Sequence, residues 1–119
     1  MRVIVVEPDA RPRVADIPSG LESLQSLVSG NIQVIYPYSD PVGIICNEEG
    51  KLLGLPLNRA LRNDAGEIYD ILSGTFIIAA LTEDDFGDLT DEQIKKYTKL
   101  FHNKEVSVRK GQRILSFAV

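Results

Sequence analysis

The chain contains one cysteine, one histidine and no tryptophan. The single cysteine, Cys46, excludes a disulfide within the chain and a zinc site built from several cysteines. The single histidine, His102, excludes a histidine-rich metal site within one copy. The sequence therefore predicts no metal site and no cofactor.

Long hydrophobic runs are also missing. The N-terminal run Val3–Val6 ends at Glu7 and is too short for a secretory signal, whose apolar part has about 7–15 residues. The run Phe76–Leu81 is far below the roughly 18 residues of a membrane span. We therefore expect no membrane association and a cytoplasmic location, which is the host cytoplasm if a phage or plasmid carries the gene.

Basic charge is in the minority: 13 Lys and Arg stand against 17 Asp and Glu, for a net charge of −4. General nucleic-acid binding is disfavoured, because contact with phosphates needs a basic face. Apolar residues make up 44% and charged residues 25% of the 119 residues, a balance typical of a soluble globular protein. We expect one domain over residues 1–119.

The patterning predicts an α+β fold with a mainly antiparallel sheet and two main helices, at about residues 21–29 and 91–103. Leucines and a valine share one face of the first helix, and Gly30 is suited to a left-handed cap at its end. The second helix begins at Thr90, which stands three residues before Gln93 as in a capping box.

The predicted strands are short apolar segments bounded by turn residues. They are residues 3–6, 13–17, 32–38, 42–46, 75–81, 106–108 and 114–119. Residues 42–46 and 51–53 flank a turn at 47–50, which predicts a β-hairpin. The pattern of residues 67–72 fits either a strand or a helical turn. Residues 110–112 predict a turn.

Two segments in the middle of the chain carry a family pattern. Ile45–Leu61 contains Asn-Glu-Glu-Gly followed by Leu-Pro-Leu-Asn-Arg, and Gly66–Phe76 comes next. These segments resemble a family of small proteins catalogued as a domain of unknown function, found in phages, conjugative elements and gut Firmicutes. The resemblance runs from about Val3 to about Leu100 and leaves out the tail after it. It implies a mobile-element setting and carries over no catalytic residue.

A first candidate site is the cluster of Asn58, Arg59 and Arg62. A side-chain amide beside planar guanidinium groups suits a phosphate or a base, and the N–H groups of a short helix start would add to anion binding. In the alternative interpretation Asn58 caps one helical turn and Arg59 pairs with a local carboxylate such as Asp64.

Further candidate ligand contacts are Asn47, Tyr36, Tyr69, Gly74 and Thr75. A tyrosine ring can stack on a nucleobase, although tyrosine is also an ordinary half-buried sheet residue. The glycine lets the chain approach a ligand closely, and a bulge before the next strand explains it equally well.

Other chemistry-bearing residues favour plainer roles. Glu48 and Glu49 would serve as a general base or as metal ligands only in a shielded site, and a turn is usually solvated. Cys46 packs as a small hydrophobe, and His102 lies near a helix end. The acidic run 83–92 either imitates the phosphates of DNA or is a solvated loop at a helix N-terminus.

No nucleophile–base pair or Gly-rich phosphate loop is visible in the sequence, so we expect a protein that is not an enzyme. The favoured hypothesis is a mobile-element protein that binds and sequesters a nucleotide-derived immune signal and so counters bacterial defence, as a homo-oligomer. The alternative is a protein-interaction module that inhibits a host or element enzyme through an acidic or edge-strand surface.

Overall fold

The structure is a computed structural model that describes residues 1–110 and 113–119. The described residues form ten strands and two helices. In chain order they are β1 (Arg2–Val6), β2 (Arg13–Asp16), α1 (Leu21–Val28), β3 (Ile32–Ile35), β4 (Val42–Asn47), β5 (Leu57–Arg62), β6 (Ile68–Ser73), β7 (Phe76–Leu81), β8 (Phe86–Gly87), α2 (Asp91–Leu100), β9 (Glu105–Lys110) and β10 (Arg113–Ala118). The turn predicted around residues 111–112 lies outside the described residues.

A six-stranded sheet in the order β2-β1-β7-β4-β3, with β8 beside β7, forms the centre of the fold. Every pairing in it is antiparallel. Strand β7 lies in the middle, and residues 76–79 are fully buried, as the unbroken apolar run predicts. The α+β fold with a mainly antiparallel sheet and two helices is confirmed.

Each face of this sheet buries a separate core, because successive side chains of a strand point to opposite faces. On one face the buried side chains pack against α1, through Leu24 and Val28. On the other face they pack against α2, through Tyr97 and Phe101, and against the β5–β6 hairpin. The sheet is therefore covered on both sides. No helix among the described residues has the length and apolar character needed to cross a membrane.

The helix boundaries match the predicted signals with two differences. The capping box is confirmed: the Gln93 N–H donates to Thr90 Oγ1 over 3.1 Å, and the Thr90 N–H donates to Gln93 Oε1 over 2.9 Å. Ser29, not Gly30, takes the left-handed conformation after α1, with φ of 63°. Position 30 needs a glycine for another reason. The Asn47 side chain lies so close that a Cβ at this position would be 2.8 Å from Asn47 Nδ2.

The predicted hairpin of residues 42–46 with 51–53 is wrong. Residues 51–54 form turns, in which the Leu53 N–H donates to the Glu49 carbonyl over 2.9 Å. Strand β4 has no free edge for a returning strand, since it pairs with β3 on one side and with β7 on the other. Gly50 lets this turn approach β6, because a Cβ there would lie 2.9 Å from the Ser73 carbonyl oxygen.

The helical turn predicted at residues 58–62 is also wrong, since this segment is strand β5. It pairs with β6 in an antiparallel hairpin, with irregular register at both ends, so residues 68–73 are a strand as well. Gly74 joins β6 to β7 at φ of 79°, and a Cβ there would lie 2.8 Å from Leu55 Cδ1. Only glycine fits that turn without strain.

Strands β9 and β10 form a C-terminal hairpin, which confirms the two strands predicted there. Glu105 attaches the hairpin to β5. Its Oε1 accepts hydrogen bonds from the Ala60 N–H over 3.4 Å and from the Ser116 hydroxyl over 2.7 Å. The same oxygen pairs with Arg62 over 3.1 Å.

Candidate binding sites

Arg59 is fully buried, and its guanidinium binds main-chain carbonyls from distant parts of the chain. Nη2 donates to the Ala10 carbonyl over 2.6 Å and to the Phe101 carbonyl over 3.1 Å. Nε donates to the Phe101 carbonyl over 3.2 Å, and Nη1 donates to Asn58 Oδ1 over 2.8 Å. Arg59 thus joins β5 to the loop after β1 and to the end of α2.

Asn58 is 1% exposed and extends the same network. Its Nδ2 donates to the Val6 carbonyl and to the Gly74 carbonyl, each over 2.9 Å. Asn58 therefore caps no helix, and Arg59 makes no pair with Asp64, so both parts of the plainer interpretation are wrong. In this arrangement the two side chains serve the main chain and offer no surface to a ligand.

Arg62, the third member of the predicted cluster, lies apart from the other two. It is partly exposed and pairs with Glu105. It lines a small cleft of about 80 Å³ together with Tyr38 and Leu100. The three polar residues predicted as one site are not brought together.

The other predicted ligand contacts are spread over the surface and the core. Tyr36 and Tyr69 are 64% and 56% exposed, so both rings are accessible for stacking. Gly74 is buried and Thr75 is half-buried. Asn47 is buried; its Nδ2 donates to the Val28 carbonyl over 3.0 Å, and its Oδ1 accepts from the Glu49 N–H over 2.8 Å.

A narrow cleft of about 140 Å³, here called the β4–β6 cleft, opens where the β5–β6 hairpin meets β4. Its lining includes Gln33, Cys46, Glu48, Glu49, Asp70 and Ser73. Ser73 is 6% exposed, and its hydroxyl has no hydrogen-bond partner among the described residues. Burial raises the pKa of the Cys46 thiol, and the Asp70 carboxylate raises it further. With three carboxylates against one ammonium group, that of Lys51, the lining carries a net negative charge.

A wider groove of about 540 Å³, here called the α2 groove, runs along α2 beside β2. It is lined by Val14, Ile94, Lys95, Thr98, Lys99, His102 and Asn103. None of these residues is acidic, and the Thr98 hydroxyl is buried without a hydrogen-bond partner in the described chain. The sequence-based candidates did not include this groove. The spacing of Lys95, Lys99 and His102 by four and three residues, which places them on one helix face, was the available signal.

A neighbouring part of the α2 surface is neutralised by Asp40. Oδ2 of Asp40 lies 2.6 Å from Lys96 Nζ and accepts from the Tyr97 hydroxyl over 2.7 Å. The hydrogen bonds from Lys96 and Tyr97 lower the pKa of the Asp40 carboxyl. Burial, and after it the Asp40 hydrogen bond, raises the pKa of Tyr97. Lys96 is therefore paired away from the α2 groove.

Part of the acidic run is engaged within the chain. Asp88 accepts from the Arg2 N–H over 2.7 Å, and Asp91 pairs with the Arg2 guanidinium over 2.6 Å. In the described ranges, no three His, Cys, Asp or Glu side chains are placed to hold a metal ion.

No curated protein and no solved structure matches the chain. A family model described as "Domain of unknown function (DUF3846)" matches residues 1–102, which covers the sheet, both helices and the hydrogen bonds of Arg59. The C-terminal hairpin lies beyond the match. The chain therefore belongs to this family of domains of unknown function.

Proposed function

We propose that the protein is a non-catalytic binding protein that sequesters a nucleotide-like anion in the α2 groove. The observation that carries the proposal is the charge of the groove. In a chain with a net charge of −4, the charged lining consists of Lys95 and Lys99, with His102 beside them. Neither lysine pairs with a carboxylate within the described part of the chain. Both ammonium groups are therefore free to bind phosphate.

The remaining lining suits the other parts of a nucleotide. Val14 and Ile94 supply apolar surface for the base, and the unpartnered Thr98 hydroxyl offers one hydrogen bond. The groove is an open, shallow depression, so a ligand bound there stays partly exposed to solvent. Arg11 adds a further positive charge nearby, because its Nη1 donates to the His102 carbonyl over 2.9 Å.

Sequestration requires affinity and no chemistry, which agrees with the absence of a recognisable catalytic motif in the sequence. In the mobile-element setting that the sequence resemblance implies, the proposed ligand is a nucleotide-derived immune signal. Removing such a signal from solution would counter a bacterial defence. The proposal thus keeps the ligand class expected from the sequence and moves its site from Asn58 and Arg59 to α2.

The first prediction concerns ligand-dependent melting. A cyclic dinucleotide, a cyclic trinucleotide or an ADP-ribose derivative that binds, present at about 100 times its Kd, stabilises the fold by about 2.7 kcal/mol. That corresponds to a rise in melting temperature of roughly 10 °C for a domain of this size. The variant Lys95→Gln/Lys99→Gln is expected to lose most of the rise, because it removes both free ammonium groups. Differential scanning fluorimetry measures both.

Lys96→Gln is the matched control for the single variants Lys95→Gln and Lys99→Gln, because it removes one positive charge from the same helix on the side that faces Asp40. It should keep the ligand-induced rise in melting temperature. Flat melting curves across the whole panel at saturating concentrations would overturn the proposal. An equal loss of the rise in Lys96→Gln would show that general charge, rather than the groove, attracts the ligand.

A second candidate function is a protein-interaction module, and the free edge of β3 favours it. The Glu48 N–H donates to the Asn31 carbonyl over 2.8 Å, and the register then directs the main-chain groups of Gln33 and Ile35 to β4. The main-chain N–H and C=O groups of Ile32 and Val34 point away from the sheet, because successive residues of an antiparallel strand direct these groups to alternate sides. The strand carries no charge, so this edge is open to an extended segment of a partner protein.

The second prediction is that Val34→Pro abolishes binding of such a partner. Proline removes the outward N–H and is tolerated on an edge strand, so the variant should stay folded. The control is Val14→Pro on β2, the other edge of the sheet. A stoichiometric partner captured from host lysate should be lost in Val34→Pro and retained in Val14→Pro. A partner that both variants retain would exclude the β3 edge.

A further inference from the structure

We infer that the β4–β6 cleft is a second binding site, which takes the ammonium head group of a small aliphatic amine. The site is independent of the α2 groove. The cleft contains residues of β3 and β4, whereas the groove lies beside β2 at the opposite edge of the sheet. The inference therefore does not rest on the proposed function.

The hydroxyl of Ser73 is buried and has no hydrogen-bond partner among the described residues. Ser73 is 94% shielded from solvent, given its 6% exposure, and it lines the cleft. A buried hydroxyl without a partner costs about 1–3 kcal/mol, so such groups normally have one. A ligand N–H that donates to Ser73 Oγ would supply the missing hydrogen bond.

The charge of the cleft selects a cation. Three carboxylates, Glu48, Glu49 and Asp70, line it against one ammonium group, Lys51. Glu48 and Glu49 are exposed and make no ion pair within the described residues. Lys51 already binds the Asp70 carboxylate, which shows that the rim accommodates an alkylammonium group.

The volume of the cleft limits the size of the ligand, and an apolar residue on its rim favours an alkyl chain. A volume of about 140 Å³ equals the space of about five water molecules at 30 Å³ each. That space takes an ammonium group and a few methylene groups. Leu52 lies on the rim and is 87% exposed, so its side chain offers apolar contact to the remainder of an alkyl chain. A linear diamine fits this description.

The third prediction is tested with 1,4-diaminobutane on the full chain, by ¹H–¹⁵N chemical shifts. Shifts should concentrate at residues 46–51 and 70–73, and the neutral analogue 1-butanol should produce none there. Ser73→Ala is expected to weaken binding about fivefold, the effect of one hydrogen bond. Ser26→Ala, at an exposed serine of α1, is the matched control and should bind as the wild type does.

Two more variants keep the inference falsifiable if Ser73→Ala does not fold. Lys51→Met removes the competing ammonium group and should bind the diamine more tightly, by about fivefold or more, because Asp70 becomes free. Glu48→Gln/Glu49→Gln should weaken binding, whereas Glu83→Gln/Asp84→Asn in the acidic run should not. Shifts centred on residues 83–92, or unchanged binding by both Ser73→Ala and Lys51→Met, would overturn the inference.

Discussion

Replacing Arg59 by alanine is expected to lower the free energy of unfolding by about 3–5 kcal/mol. The substitution leaves the carbonyls of Ala10 and Phe101 without their guanidinium donors. It also leaves a cavity at a fully buried position. Equilibrium unfolding in urea, monitored by circular dichroism, measures the change as a lower midpoint.

The control for this experiment is Arg13→Ala. Arg13 makes an ion pair with Glu7 in which both side chains are exposed, so its loss should cost no more than about 1 kcal/mol. An Arg59→Ala variant within about 1 kcal/mol of wild type would contradict the structural role. It would return Arg59 to the set of candidate ligand contacts.

The second large effect is expected for Asn58→Ala, which should lower the free energy of unfolding by about 2–4 kcal/mol. The variant removes the amide donor that the buried Asn58 supplies to the carbonyls of Val6 and Gly74. Asn103→Ala, at an exposed asparagine, is the control and should change stability by less than about 0.5 kcal/mol. A cost below about 1 kcal/mol for Asn58→Ala would show that other donors replace the amide.

The double variant tests whether the two side chains act together. Asn58 Oδ1 accepts directly from Arg59 Nη1, so the two single costs share one interaction and should not add. Residues in contact typically show coupling of about 0.5–3 kcal/mol. Full additivity would mean that the hydrogen bond between them contributes little.

Features set by local patterns were predicted well from the sequence. The buried run of β7 and the capping box at Thr90 depend on residues within a few positions of each other. Hydrophobic periodicity and cap chemistry indicate such segments directly. The antiparallel α+β class is predicted by the number of short strands and their turns.

Features set by distant contacts were not predictable in the same way. Asn58 and Arg59 look locally like a helix cap with a surface cation, because both are polar. Their buried position depends on carbonyl groups that accept from Arg59. These belong to Ala10 and Phe101, which lie 49 and 42 residues from Arg59 in the sequence. The false hairpin after β4 has the same origin, since nothing near Lys51 shows that both edges of β4 are taken by β3 and β7.

The two candidate sites also differ in how far they depend on local sequence and on distant contacts. The basic face of α2 is a local property, visible in the spacing of Lys95, Lys99 and His102. Its use as a groove depends on Val14 of β2 lying opposite it. The β4–β6 cleft has no local signature, because Gln33, Cys46 and Ser73 come from three different strands. Only their packing reveals a shared surface.

The attachment of Phe101 to Arg59 fixes where the C-terminal hairpin starts. The family match ends at residue 102, one position after the carbonyl to which Arg59 donates. The segment that follows in this chain therefore leaves from an anchored point, and three residues later Glu105 binds back to β5. Strand β5 thus orients the hairpin from both sides of the exit: Arg59 holds the residue before it and Arg62 the residue after it.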